Sequence, residues 1–260
     1  MIPHNHNRWN IVELSDVDST NSWIYDKFSG SKIKSGTVAR SAFQQAGRGQ
    51  RGNSWQSEPG ANLLFSFLYQ PVKFRAASQF RLSQTVSLAV VDWLLSFSPN
   101  VFIKWPNDIY VGKKKITGIL IENILVGEYI NASVVGIGIN INQTDFSSDL
   151  PNPTSLALLT NKKFDLANAL LDLLHCMDKR LIQFEKKEFE KLNSDYTQHL
   201  LRFNKPGLFV ANGEQFEAQI TKVLPSGEVV LQLNDGSIRE YGFKEVSHVF
   251  ELRPTGNIVV

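Results

Sequence analysis

An α+β fold is what this sequence predicts: a mixed β-sheet with flanking helices to about residue 202, then a small β-barrel. Three observations carry that expectation. Apolar residues recur with a period near 3.6 in two long stretches, Leu82 to Phe97 and Leu166 to Phe184. Six apolar or alternating strand-like runs lie between Ile11 and Ile139. After Pro206 the texture changes to short strands broken by turn residues. A chain of 260 residues accommodates one domain with a small appendage, and the boundary is placed between 202 and 203.

The elements follow in order. Ile11 to Leu14 is a short strand, and Asp16 to Thr20 supplies helix-starting side chains ahead of Trp23, Ile24, Lys27 and Phe28 at helical spacing. Thr37 to Phe43 reads as a strand feeding a glycine loop, and Asn62 to Tyr69 as another, rich in Phe and Leu. From Ser78, the apolar positions Leu82, Val86, Ala89, Val90, Trp93 and Phe97 give an amphipathic helix. Val101 to Trp105, Lys115 to Leu125 and Tyr129 to Ile139 are strands, with turns marked by Gly112 and Gly127. Asp165 is the expected N-cap of a long helix whose continuation runs to about Leu201. Beyond it, Gly207 to Val210, Gln215 to Leu224, Glu228 to Leu233 and Ser237 to Phe243 are joined by hairpin turns at Asn212-Gly213, Pro225-Ser226-Gly227 and Asn234-Asp235-Gly236. Such a run fits a small SH3-like barrel.

Composition narrows the function. Hydrophobic content of 42% and charged content of 20% are those of a globular protein. A formal charge of +2 does not suggest a general nucleic-acid binder, though it permits a local basic site. The single cysteine, Cys176, cannot form an internal disulfide and fits a helix packing position. No stretch approaches the roughly 20 apolar residues that span a bilayer. Met1 to Asn10 lacks a signal-peptide core, and its His4 and His6 read as a polar end rather than a metal site. A cytoplasmic protein is expected.

Several segments bear chemistry. Gly47, Gly49 and Gly52, with Arg48 and Arg51, are either a flexible surface loop or a cradle for phosphate or carboxylate; the loop ends at Trp55. It is neither a Walker A loop nor a Rossmann fingerprint. Lys115 is either the solvent-facing end of an edge strand or a cation aimed into a cleft. Lys104 fits a partly buried, paired cation, while Asn107 and Asp108 after Pro106 also suit a plain turn. Glycines at 136 and 138 within a strand mark a bulge or the close approach of another group. Ser19, Thr20 and Asn21 either cap the first helix or face a polar head group, and Trp55 is either core or a flat stacking surface.

As an ordered set these motifs are far more specific. Asp18-Ser19-Thr20-Asn21, then Gln44-Gln45-Ala46-Gly47-Arg48-Gly49-Gln50-Arg51-Gly52 with Trp55, then Lys104-Trp105-Pro106-Asn107-Asp108, Lys115-Ile116-Thr117-Gly118-Ile119-Leu120-Ile121-Glu122 and Gly136-Ile137-Gly138-Ile139-Asn140 resemble the biotin protein ligases. The resemblance covers roughly residues 11 to 145 by motif and implies a class II synthetase-like catalytic fold. It also implies two half-reactions: activation of biotin by ATP to biotinyl-5′-AMP, then transfer to a lysine of a biotin carboxyl carrier protein.

Carried over position by position, the resemblance makes Lys115 the lysine that contacts the biotin carboxylate and α-phosphate, with Arg48 and Arg51 as further catalytic cations. Ser19, Thr20, Asn21 and Gln44 would bind the biotin head, joined by Gly47, Gly49 and Gln50 of the loop, and Gly118, Gly136 and Gly138 would leave room for it. Trp55 would lie against the adenine, Asn140 near its edge, and Lys104, Asn107 and Asp108 beside the phosphates. ATP and Mg²⁺ are implied, the metal held mainly through ATP phosphates and not by a protein ligand set. Attack by an anion on a polyphosphate needs such cations and no protein nucleophile.

The common family loop reads Gly-Arg-Gly-Arg-Arg-Gly, whereas Gln50 stands where the second arginine would be. Its loss is expected to loosen the hold on the adenylate, unless position 50 faces solvent. Only 18 residues precede Ser19, too few for the DNA-binding module of some members, so a monofunctional ligase without nucleic-acid binding is expected. The apolar run Ile130 to Ile141, taken as a strand edge, would pair two subunits into a homodimer or receive the carrier. The rivals are a lipoate or octanoate ligase and a catalytically silent biotin binder.

Overall fold

A computed structural model describes residues 8–249, 251–252 and 258–259. The side chain of Arg51, and His4 and His6, lie outside the described residues. In chain order the first half comprises β1 (Asn10–Val17), α1 (Thr20–Ser29), β2 (Thr37–Gln44), β3 (Leu63–Tyr69), β4 (Phe74–Arg75), α2 (Phe80–Leu94), β5 (Val101–Lys104), β6 (Asp108–Val111), β7 (Lys114–Val126) and β8 (Tyr129–Ile139). Then come α3 (Leu156–Thr160), α4 (Leu166–Glu185), α5 (Phe189–His199), β9 (Gly207–Ala211), β10 (Glu214–Val223), β11 (Val229–Leu233), β12 (Ile238–Tyr241), β13 (Ser247–His248), β14 (Glu251–Leu252) and β15 (Ile258–Val259).

The large sheet has the order β1-β2-β3-β8-β7-β6-β5, with β4 also on β8. β1 and β2 run parallel and the other pairs antiparallel, so the sheet is mixed as expected. Strand alternation sorts its side chains: Val38, Phe67 and Val135 join the main core, while their neighbours Ala39, Leu68 and Val134 pack with Ile24 of α1. The sheet is therefore covered by α1 on one face and by α2, α4 and α5 on the other. The strands β12-β11-β10-β9-β13 form a separate sheet, as an SH3-like barrel requires. Asn212 (φ 51°) and Gly213 (φ 81°) form its first hairpin turn in the left-handed region that Asn-Gly tolerates.

One expectation needs correcting. The run Ile130 to Ile141 is not an edge: β8 lies inside the sheet between β3 and β7, and its apolar character on both faces is that of an interior strand. The dimer and carrier readings built on that edge lose their basis. The helix from Asp165 and its continuation to about Leu201 are present as α4 and α5, parted at Lys187 (φ 58°). Strand β6 and helix α3 were not foreseen, the first because Asn107-Asp108 reads as a turn. Asp165 does cap α4, its Oδ1 accepting from Asn168 N at 2.8 Å. Cys176 is half-buried against the main core, where burial raises its thiol pKa. No helix among the described residues is long and apolar enough to cross a membrane.

Candidate active site

On the α1 face of the large sheet, past the N-terminus of α1, lies a cavity of about 510 Å³. Alternation along β8 puts Ala132, Val134, Gly136 and Gly138 on this face. Gly138 pairs with Gly118 of β7, and Gly136 with Leu120.

A β-bulge aims Lys115. Thr117 pairs with Ile109, but Tyr110 pairs with Lys115, so Ile116 is the extra residue. Ile116 turns into the core, fully buried, and Lys115 is thrown to the opposite face, towards the cavity. The sequence left that choice open. Lys115 Nζ lies 2.8 Å from Asp108 Oδ1 and 5.9 Å from the centre of the Trp55 ring. Its backbone is pinned by Lys115 N donating to Asn152 O (2.8 Å) and Thr154 N to Lys115 O (2.9 Å).

Lys104 and Asp108 face each other across the β5–β6 ladder at the same end. Burial lowers the Lys104 pKa; Asp108 opposes that, while Lys115 and Arg202 add to it. An ammonium held among other cations is stabilised by an incoming anion. Asn107 Nδ2 donates to Ile119 O at 2.7 Å, fixing the turn after Trp105-Pro106.

The other end is neutral and hydrogen-bonding. Thr20 N and Thr20 Oγ1 both donate to Gln44 Oε1, at 2.8 and 3.1 Å. The Thr20 and Ser66 hydroxyls lie 2.6 Å apart, and Ser66 Oγ donates to Asn21 Oδ1. Ser19 takes the N-cap position of α1, but its hydroxyl makes no capping bond.

The glycine loop folds as a small hairpin. Arg48 and Ser54 form a bridge, Trp55 N donates to Gly47 O (2.9 Å), and Gly49 N to Asn53 O (2.7 Å). A Cβ on Gly47 would lie 2.4 Å from Trp55 O, so this glycine closes the hairpin; Gly52 (φ 87°) is the one that turns it. The Trp55 ring lies over the sheet glycines: a Cβ would approach it to 2.9 Å at Gly118 and 2.5 Å at Gly138. At Gly136 a Cβ would sit 2.1 Å from Asn21 Oδ1. Trp55 and Asn21 are thus the groups these glycines admit, and the glycines still line the cavity.

The cavity is lined by Ser19, Thr20, Asn21 and Gln44, by Arg48, Gly49, Gln50 and Trp55 of the loop, by Lys104, Asn107, Asp108 and Lys115, and by the three sheet glycines. Among the described residues, two expected ones do not line it. Gly47 faces the Trp55 backbone, and Asn140 is buried with its amide donating to Thr154 O at 3.0 Å. The second sheet closes one side with Lys244, Val246, Ser247 and His248, which no motif signalled. His248 is 2% exposed, and its ring nitrogens have no hydrogen-bond partner among the described residues.

Residues 14–140 match the model of the Biotin/lipoate A/B protein ligase family. The Bifunctional ligase/repressor BirA of Escherichia coli is 36% identical over 133 residues, 51% of this chain and 40% of that protein. The Biotin--[acetyl-CoA-carboxylase] ligase of Paracoccus denitrificans is 35% identical over 131 residues, 49% of this chain and 53% of that one. The chain spans about half the length of the curated relatives it matches. The solved biotin protein ligase from Aquifex aeolicus in complex with biotin and ATP superimposes with a TM-score of 0.76 at 27% identity, over 92% of this chain and 97% of that one.

Proposed function

Because this chain belongs to the biotin/lipoate A/B protein ligase family, we propose that it activates biotin with ATP and transfers it to a lysine of a biotin carboxyl carrier protein, the partner domain of a biotin-dependent carboxylase. One observation carries the reading: a single cavity joins a neutral hydrogen-bonding end at Thr20 and Gln44 to a cationic end at Lys104 and Lys115. A ligand with a polar uncharged head and an anionic reacting group matches that division.

In the first half-reaction a biotin carboxylate oxygen attacks the α-phosphorus of ATP, and the bond to the bridging oxygen of pyrophosphate breaks. Lys115, in the cationic end, holds carboxylate and α-phosphate together against their mutual repulsion, Arg48 binds the incoming anion, and Lys104 stabilises the remaining negative charge. Trp55 offers its outer face to the adenine. In the second half-reaction the carrier's lysine amine attacks the acyl carbon, and AMP leaves with the bonding electrons.

Among the described residues, Asp108 is the carboxylate that lines the cavity. One carboxylate with phosphate oxygens suits Mg²⁺, which takes few protein ligands; when bound it would neutralise phosphate charge. Arg51, as a further cation, and the division into a catalytic unit over 1–202 and a β unit over 203–260 belong to the same proposal. The test is pyrophosphate release dependent on both biotin and ATP. Release is expected with wild type and lost in Lys115→Ala; no release from wild type would refute the reading.

A further inference from the structure

Glu122 takes no part in the reaction above, yet its surroundings give it a role. It follows Gly118 and Leu120 on the cavity face of β7. One oxygen, Oε2, accepts from Asn21 Nδ2 and from Arg48 Nη2, both at 2.8 Å. The two donors differ in kind. Asn21 is 3% exposed, wedged over Gly136 in the first turn of α1, next to the Thr20 that holds Gln44. Arg48 belongs to the hairpin loop, and its side chain is 44% exposed. The carboxylate therefore links a fixed amide in the head-group pocket to a cation on the loop.

An exposed ion pair taken alone would be a weak contact. Here the acceptor is oriented by a buried side chain, which reduces the freedom lost when Arg48 docks on it. Arg48 also lines the cavity, and a guanidinium bound through one nitrogen keeps further donors for an anion.

We propose that Glu122 is a positioning residue: tied to Asn21, it holds Arg48 at the cavity wall, so that the anionic reactant meets a guanidinium already in place. The ligand half of this inference rests on the proposed function; the ligand-free half does not.

The experiment compares wild type with Glu122→Gln, in which a neutral carbonyl still accepts from Asn21. Amide hydrogen exchange of residues 47–55 is followed without ligand, and kcat and KM for biotin are measured by pyrophosphate release. The substitution is repeated in an Arg48→Ala background. Exchange in the loop is expected to quicken several-fold, and KM to rise by up to about fivefold, with the effect on KM rather than kcat. In the Arg48→Ala background the second substitution should add nothing. Unchanged exchange, a KM effect of equal size without Arg48, or a lowered KM would each overturn the proposal. If wild type releases no pyrophosphate, the proposed function fails, and the ligand-free exchange alone decides the role of Glu122.

Discussion

His248 makes the stability of this protein depend on pH in a way that can be worked out from its surroundings. It sits on β13 opposite Phe209, with ring centroids 4.8 Å apart. Burial, then the charges of Lys104 and Arg202 that face it, push its pKa down from 6.5 to about 3. The unfolded chain takes up a proton near pH 6.5 while the folded protein refuses it until about pH 3. Below 6.5 the unfolded state therefore binds more protons, and stability falls as the pH falls. At about 1.4 kcal/mol per pH unit, this one group removes roughly 2 kcal/mol between pH 6.5 and 5. His248→Leu puts an apolar side chain of similar size there and removes the titration. Urea unfolding of both proteins at pH 7.5 and pH 5 is the assay. The loss of stability on acidification should be roughly 2 kcal/mol larger in wild type than in the variant, other titrations cancelling in the difference. Equal losses would mean that His248 accepts its proton normally in the fold, and would refute the reasoning.

Other outcomes follow from the same geometry. Gly136→Ala would press a methyl group onto Asn21 Oδ1; a destabilisation of about 1–3 kcal/mol in urea is expected, and an unchanged midpoint would show that Asn21 moves aside freely. Gln50→Arg restores a cation at a cavity-lining position and should slow dissociation of the biotinyl adenylate; equal dissociation rates would show that residue 50 does not meet it. The hairpin at 45–57 should close over the adenylate and shield it from water, so biotin plus ATP should protect the chain near Arg48 from protease, and unchanged cleavage would count against closure.

The motif order made the site legible, but not the reasons for several residues. Lys115 stood in sequence between an edge position and a cleft; the bulge opposite Tyr110 decides it. That bulge depends on pairing with β6, a strand too short and too turn-like to announce itself. Gly136 and Gly138 read as a bulge or a close approach, and Gly118 as leaving room for a ligand; the protein groups that approach all three are Trp55 and Asn21. Lys244 to His248 reach the cavity only because the second sheet packs there. A tie shows how: Trp105 Nε1 donates to Gly227 O at 3.0 Å. Two long amphipathic helices and the hairpin turns were readable because their periods and φ requirements are local. The interior place of β8 was not, since a run apolar on both faces looks the same at an edge.

The most direct measurement of the central claim is the intact mass of a biotin carrier domain incubated with this protein, ATP, Mg²⁺ and either biotin or lipoate, with Lys115→Ala in parallel. Wild type should add one biotinyl group, the variant none, and neither should transfer lipoate. Lipoyl transfer, or no transfer of either acid, would contradict that claim.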